Sequence, residues 1–155
     1  MNEYELMKIL NSKEELNKRI DNLKPYFSEG EEQGHKEKAE HNLEFASETK
    51  QKFSDWKVVG CYFTLYHMAL ALLAKKGYTS KSHDATLCLL IREYRKVLTE
   101  EEIKQLNETF IDNTDILFYA HTKEKRKTAS YSNERDFDTK KILFKTRVLF
   151  NKMLI

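Results

Sequence analysis

The chain predicts an all-α fold, an antiparallel bundle of about five to six helices, and three observations carry that prediction. Its 155 residues include one proline, Pro25, and four glycines, Gly30, Gly34, Gly60 and Gly77. Charged residues make up 34% of it, with lysine, glutamate and leucine prominent among the rest of the helix formers. Apolar residues also recur at helical rather than alternating spacing. So few breakers among good helix formers favour long helices and short connections over many-stranded β structure. The length fits one domain, residues 1–155, with a sizeable core.

Each element follows from local signals. Residues 2–24 place Tyr4, Leu6 or Met7, Leu10, Leu16, Ile20 and Leu23 on roughly one helical face, with Asn11-Ser12 as a break and new cap. Pro25 to Gly34 holds the proline and two glycines and is expected to be a loop. A second helix is expected from about His35 to Phe53, with Ala39, Leu43, Ala46 and Phe53 turned inward. Ser54 or Asp55 can cap a third helix at Trp56, which is apolar on most of its circumference, as the central member of a bundle should be. Gly77 stops it. Ser82 caps the next, with Asp84 in its first turn, to about Leu98. Thr99-Glu100-Glu101-Glu102 has the form of a capping box and opens a helix running on through His121. Residues 122–135 read as a loop. A last helix from about Asp136 to Met153 offers Phe137, Ile142, Phe144, Val148, Leu149 and Leu154 to the core. There is no internal repeat.

Composition narrows the function classes. Cys61 and Cys88 both lie in apolar runs, which suits buried reduced thiols rather than a disulfide framework. The first residues are amphipathic and of mixed charge, unlike a signal peptide. Trp56 to Ala74 approaches the length of a membrane span, but it contains Tyr, Thr and His and starts beside Asp55 and Lys57, so a buried core helix is expected. The chain therefore reads as a cytoplasmic protein without membrane attachment. Its net charge of +2 conceals a split. Residues 119–155 hold 10 Lys/Arg against 4 Asp/Glu, a balance of +6, while residues 1–55 hold 9 against 13, a balance of −4. A basic C-terminal third suits an anionic partner, and equally a solvated lysine-rich helix surface.

One stretch has a distinctive wording. Asp55-Trp56 precedes Cys61-Tyr62-Phe63-Thr64-Leu65-Tyr66-His67, then Ala69-Leu70-Ala71-Leu72-Leu73-Ala74-Lys75-Lys76-Gly77-Tyr78, and Lys81-Ser82-His83 opens the next helix. This order resembles the HEPN superfamily of small helical nucleotide-binding domains. Further on, Arg126-Lys127-Thr128-Ala129-Ser130-Tyr131 is similar to an Arg, two residues and Ala-Asp-Tyr found before the last helix in one branch, with Ser130 in place of the Asp. The resemblance implies a helical bundle, commonly a homodimer, with polar residues in a cleft near the dimer interface. It also implies RNA or a nucleotide as ligand. Some members form the toxin half of a toxin–antitoxin or defence pair with a small nucleotidyltransferase, and that partner is expected here.

The family's ribonuclease chemistry is another matter. It uses an Arg followed four to six residues later by His: the imidazole moves the proton of a 2′-hydroxyl, and the guanidinium holds the phosphate as charge builds. Here Arg126 is followed five positions on by Tyr131, and the last histidine, His121, precedes it. The expectation is therefore a module that binds RNA or a nucleotide through Lys125, Arg126, Lys127, Tyr131 and His83 without cleaving it. Tyr131 would stack or hydrogen-bond, and His83 would meet an anion at a helix start. Two alternatives stay open: a metal-independent ribonuclease using Arg126 with His121 or Tyr131, and a helical scaffold that only assembles with a protein partner. His67, on the apolar helix, reads first as a satisfied core histidine. His35 and His41 do not share a helix face, so no metal site and no cofactor are expected.

Overall fold

In the computed structural model of the chain, the structure describes residues 1–26, 28–126 and 138–155, with the side chains of 116–126 outside that description. Among the described residues there are seven α-helices and no strand: α1 (Glu3–Asn11), α2 (Lys13–Ile20), α3 (Glu31–Glu48), α4 (Ser54–Lys75), α5 (His83–Tyr94), α6 (Glu100–Arg126) and α7 (Thr139–Met153). A 3-10 turn, Gln51–Phe53, joins α3 to α4. The chain is an all-α helical bundle, as its composition predicts.

The caps explain the boundaries. Asn2 and Ser12 accept hydrogen bonds from Glu5 N and Glu15 N, so the break at Asn11-Ser12 is a true division between two helices. Gly77, at φ +78°, ends α4 in a Schellman arrangement: its N–H donates to Ala74 O and that of Tyr78 to Leu73 O, each at 2.9 Å. Ser82 Oγ accepts from Ala85 N and opens α5. Thr99 and Glu102 form the reciprocal capping box, with Thr99 N donating to Glu102 Oε2 at 2.8 Å and Glu102 N to Thr99 Oγ1 at 3.3 Å.

Several boundary expectations are corrected. Helix α3 runs from Glu31 to Glu48, not from His35 to Phe53: Gly30 takes the left-handed conformation at its head, Gly34 is absorbed into the first turns, and Gln51–Phe53 forms a separate 3-10 turn. Helix α4 starts at Ser54; Phe53 is its cap residue, and Asp55 Oδ1 accepts from Trp56 N inside the first turn. The stretch from 122 is not wholly loop, since α6 continues to Arg126, and α5 stops at Tyr94. The last helix begins at Thr139, where Asp138 Oδ1 accepts from Lys141 N.

Helix α4 is the axis of the bundle. Val58, Cys61, Leu65, Met68, Ala69, Leu72 and Leu73 are buried on it, and burial of each large aliphatic side chain stabilises by roughly 1.5–3 kcal/mol. Leu6, Ile9, Leu16 and Ile20 of the first two helices, Leu87 to Ile91 of α5, Leu106 and Phe110 of α6, and Leu149 and Met153 of α7 complete the main core. Both cysteines are buried and unpaired in disulfides. The stretch Gln51–Lys75 is long and apolar enough to cross a membrane, but 67% of its most apolar window is buried inside the protein. Helix α3 runs antiparallel to α4, with Ala46 against Gly60 and His35 against His67. Helix α6 also runs antiparallel, with Phe110 against Tyr62 and Tyr66, and Asp112 in the same cleft as Val58. Helix α7 runs in the same sense as α4, from Thr139 beside Gln51 to Ile155 beside Lys75. Phe53, Phe144, Val148 and Leu154, expected inside, lie exposed, while Leu149 is buried and Ile142 packs on Val58 and Val59. Phe137 lies outside the described residues.

Candidate functional site

Where α4, α5 and α6 meet, the sequence Tyr62-Phe63-Thr64-Leu65-Tyr66-His67 turns a row of polar-tipped rings along one side of α4. Residues four apart on a helix share a face, so Tyr62 stands over Tyr66 with stacked rings 5.4 Å apart, and Phe63 over His67 at 6.2 Å. The Ser82 cap sets His83 at the first position of α5, against this row. The Tyr62 hydroxyl and His83 Nε2 are 2.8 Å apart. Burial pushes the Tyr62 phenol up to about 12, so it stays protonated and can donate to the imidazole. The His83 ring stacks on Phe110 at 4.7 Å and meets Tyr66 edge-on at 5.3 Å.

Burial also holds His83 below the usual histidine range, against the smaller opposing pull of Asp84. At neutral pH it is an uncharged ring held by a hydrogen bond and two aromatic faces. The Asp84 carboxylate stands in the same helical turn.

A histidine pair continues the row. His35 of α3 and His67 of α4 share a hydrogen bond of 3.1 Å between their Nδ1 atoms, one donating and one accepting, with rings stacked at 5.3 Å. Burial lowers the pKa of His67 to about 4, helped by His35 and Lys38. It lowers that of His35 too, with Lys38 acting in the same sense and Glu31 against it. His67 is thus a satisfied, partly buried histidine, and its partner is His35. Among the described residues no three His, Cys, Asp or Glu side chains converge on a metal site.

His121, Lys125 and Arg126 lie on the backbone of α6, their side chains outside the described residues, and Lys127 and Tyr131 lie outside them altogether. From Phe110, under His83, to Arg126 the continuous helix climbs about 24 Å at 1.5 Å per residue. His83 and Arg126 of one chain therefore do not form one pocket. His121 and Arg126, five apart on one helix, stand about 140° apart around its axis.

Sequence reasoning missed Tyr62, Tyr66, Phe110 and His35 as parts of one cluster. The four-residue spacing of Tyr62 with Tyr66 and of Phe63 with His67 was a usable signal; the partners on α3 and α6 are tertiary and had none. Comparison with protein-family models, with curated proteins and with solved structures returned no match.

Proposed function

We propose that the chain is a HEPN-like module that binds RNA or a nucleotide without cleaving it. It would act as a homodimer in a toxin–antitoxin or defence pair with a nucleotidyltransferase. The observation that carries the non-cleaving part is the replacement of the expected histidine by Tyr131, five residues after Arg126, with no histidine anywhere beyond His121. A tyrosine with an unperturbed pKa near 10 is a poor base at neutral pH. Binding is supported by the basic balance of the C-terminal third and by the course of α6. It runs antiparallel to α4 and carries the Lys123-to-Arg126 stretch toward the end of the bundle where α4 begins. A homodimer would allow His83 of one protomer to lie near the basic segment of the other.

Incubating EDTA-treated protein with end-labelled RNA tests this reading. Retained, intact RNA is the expected result; cleavage that disappears in Arg126→Ala would instead establish the ribonuclease alternative. Co-expression with the product of the neighbouring gene tests the pairing, with a stable complex with a nucleotidyltransferase as the expected outcome.

A further inference from the structure

The junction of α3 and α4 carries a groove that the His83 cluster does not include. Phe45, Thr49, Lys50, Lys52, Phe53 and Trp56 line about 490 Å³ of space. Its three aromatic rings are far from buried, Phe45 and Phe53 at 45% exposure and Trp56 at 55%. Core packing therefore does not account for them.

The groove is built, not accidental. Gly60 lets α3 approach so closely that an added Cβ would stand 3.0 Å from Phe45 Cδ1, which sets the Phe45 ring. Thr49 Oγ1 donates to Phe45 O at 2.7 Å and closes the end of α3. The 3-10 turn is pinned from behind, Thr139 Oγ1 of α7 donating to Gln51 Oε1 at 2.7 Å. The residues on either side of Gln51, Lys50 and Lys52, both line the groove, and the Lys52 ammonium stands 5.0 Å from the Phe53 ring centre. Every charged side chain in the lining is a lysine. The groove also sits at the end of the bundle toward which α6 carries its basic stretch.

We infer that this groove binds an unpaired nucleobase of single-stranded RNA, with Phe53 and Trp56 as stacking faces and Lys50 and Lys52 holding the flanking phosphates. Open aromatic faces beside ammonium groups match a base joined to its phosphate, and the cationic lining favours a polyanion over an apolar peptide. Inside a duplex both faces of a base are covered by its stacked neighbours, so the single strand is the form that fits the groove. The inference rests on the RNA-binding reading and adds a location and a strand preference to it.

Trp56 is the only tryptophan, so its fluorescence reports on this groove alone. The full-length protein is titrated with an eight-nucleotide oligouridylate and with a duplex of the same length, while filter binding follows total retention. The expected result is saturable quenching by the single strand and none by the duplex. Phe53→Ala is expected to weaken binding by about fivefold or more. Lys50→Ala with Lys52→Ala is expected to lower the salt slope by about 1.4, at about 0.7 per phosphate contact on a single strand. Circular dichroism confirms that these surface variants fold. Equal retention by wild type and variants without quenching of Trp56 would overturn the groove while leaving RNA binding in place. Quenching by an apolar peptide but not by RNA would overturn it as well. Absence of RNA retention by the wild type would remove the RNA-binding reading itself, and the groove with it.

Discussion

His67 is the side chain whose chemistry the fold changes most visibly. Its ordinary value of 6.5 is lowered to about 4, mainly by burial and next by His35. The folded value lies below the unfolded one, so the fold favours the neutral ring. Its contribution to stability is complete above pH 6.5 and is lost as the pH falls through about 4. The loss amounts to about 1–2 kcal/mol, less than the full shift because solvent reaches the ring. His35 and His83 are lowered in the same direction and steepen the effect. Urea midpoints at pH 7 and pH 4.5 should therefore differ, and differ less in His67→Gln; equal pH dependence in both proteins would show that the pair is not the cause. The residue scale is also where sequence reading stops. His67 was legible as a satisfied histidine on an apolar helix, but His35, in a polar helix many residues away, gave no sign of being its partner. The Tyr62–His83 bond was equally hidden, since only the packing of α5 on α4 creates it.

At the scale of the element, the contact of α3 with α4 turns on Gly60. Alanine is the better helix former by about 1 kcal/mol, so propensity alone favours Gly60→Ala. Its Cβ would stand 2.9 Å from Ala46 Cβ and 3.0 Å from Phe45 Cδ1, and such overpacking costs about 1–3 kcal/mol. The clash wins because both neighbours sit on a packed helix. Gly60→Ala should lower the urea midpoint at unchanged slope; a higher midpoint would mean that α3 yields freely. Thr99→Ala breaks half of the capping box and should cost about 1 kcal/mol, read from the same unfolding curve. Caps of this kind were legible because they are local: Ser82, Gly77 and Thr99 act within a few residues of themselves. The boundaries that moved depended on more. Gly30 rather than Gly34 heads α3, a choice between two glycines that composition does not make. Residue type alone turns Phe53, Phe144 and Val148 inward, but which side of an end turn or terminal helix faces the core is set by neighbours from distant sequence.

Across the whole molecule, charge and topology act together. Helix α6 starts at the end of the bundle where α4 stops and carries its basic stretch toward the opposite end, where the aromatic groove lies. The fold class and the uneven charge were legible in composition, since both are sums over many residues. The position of the basic segment relative to His83 was not, because it depends on α6 being one continuous helix rather than ending near residue 121. A binding surface of this kind is electrostatic and therefore dependent on salt: removing one cation that pairs with a phosphate of a single strand lowers the slope of log affinity against log salt by about 0.7. Arg126→Ala is expected to weaken RNA binding uniformly across sequences and to reduce that slope by about 0.7. The most direct measurement is filter binding of labelled single-stranded RNA to the EDTA-treated protein across a salt series, with the RNA recovered and sized afterwards. Affinity that falls steeply with salt and RNA recovered at full length is the predicted result. Shortened RNA, or no retention even at low salt, would contradict a binding module that does not cleave.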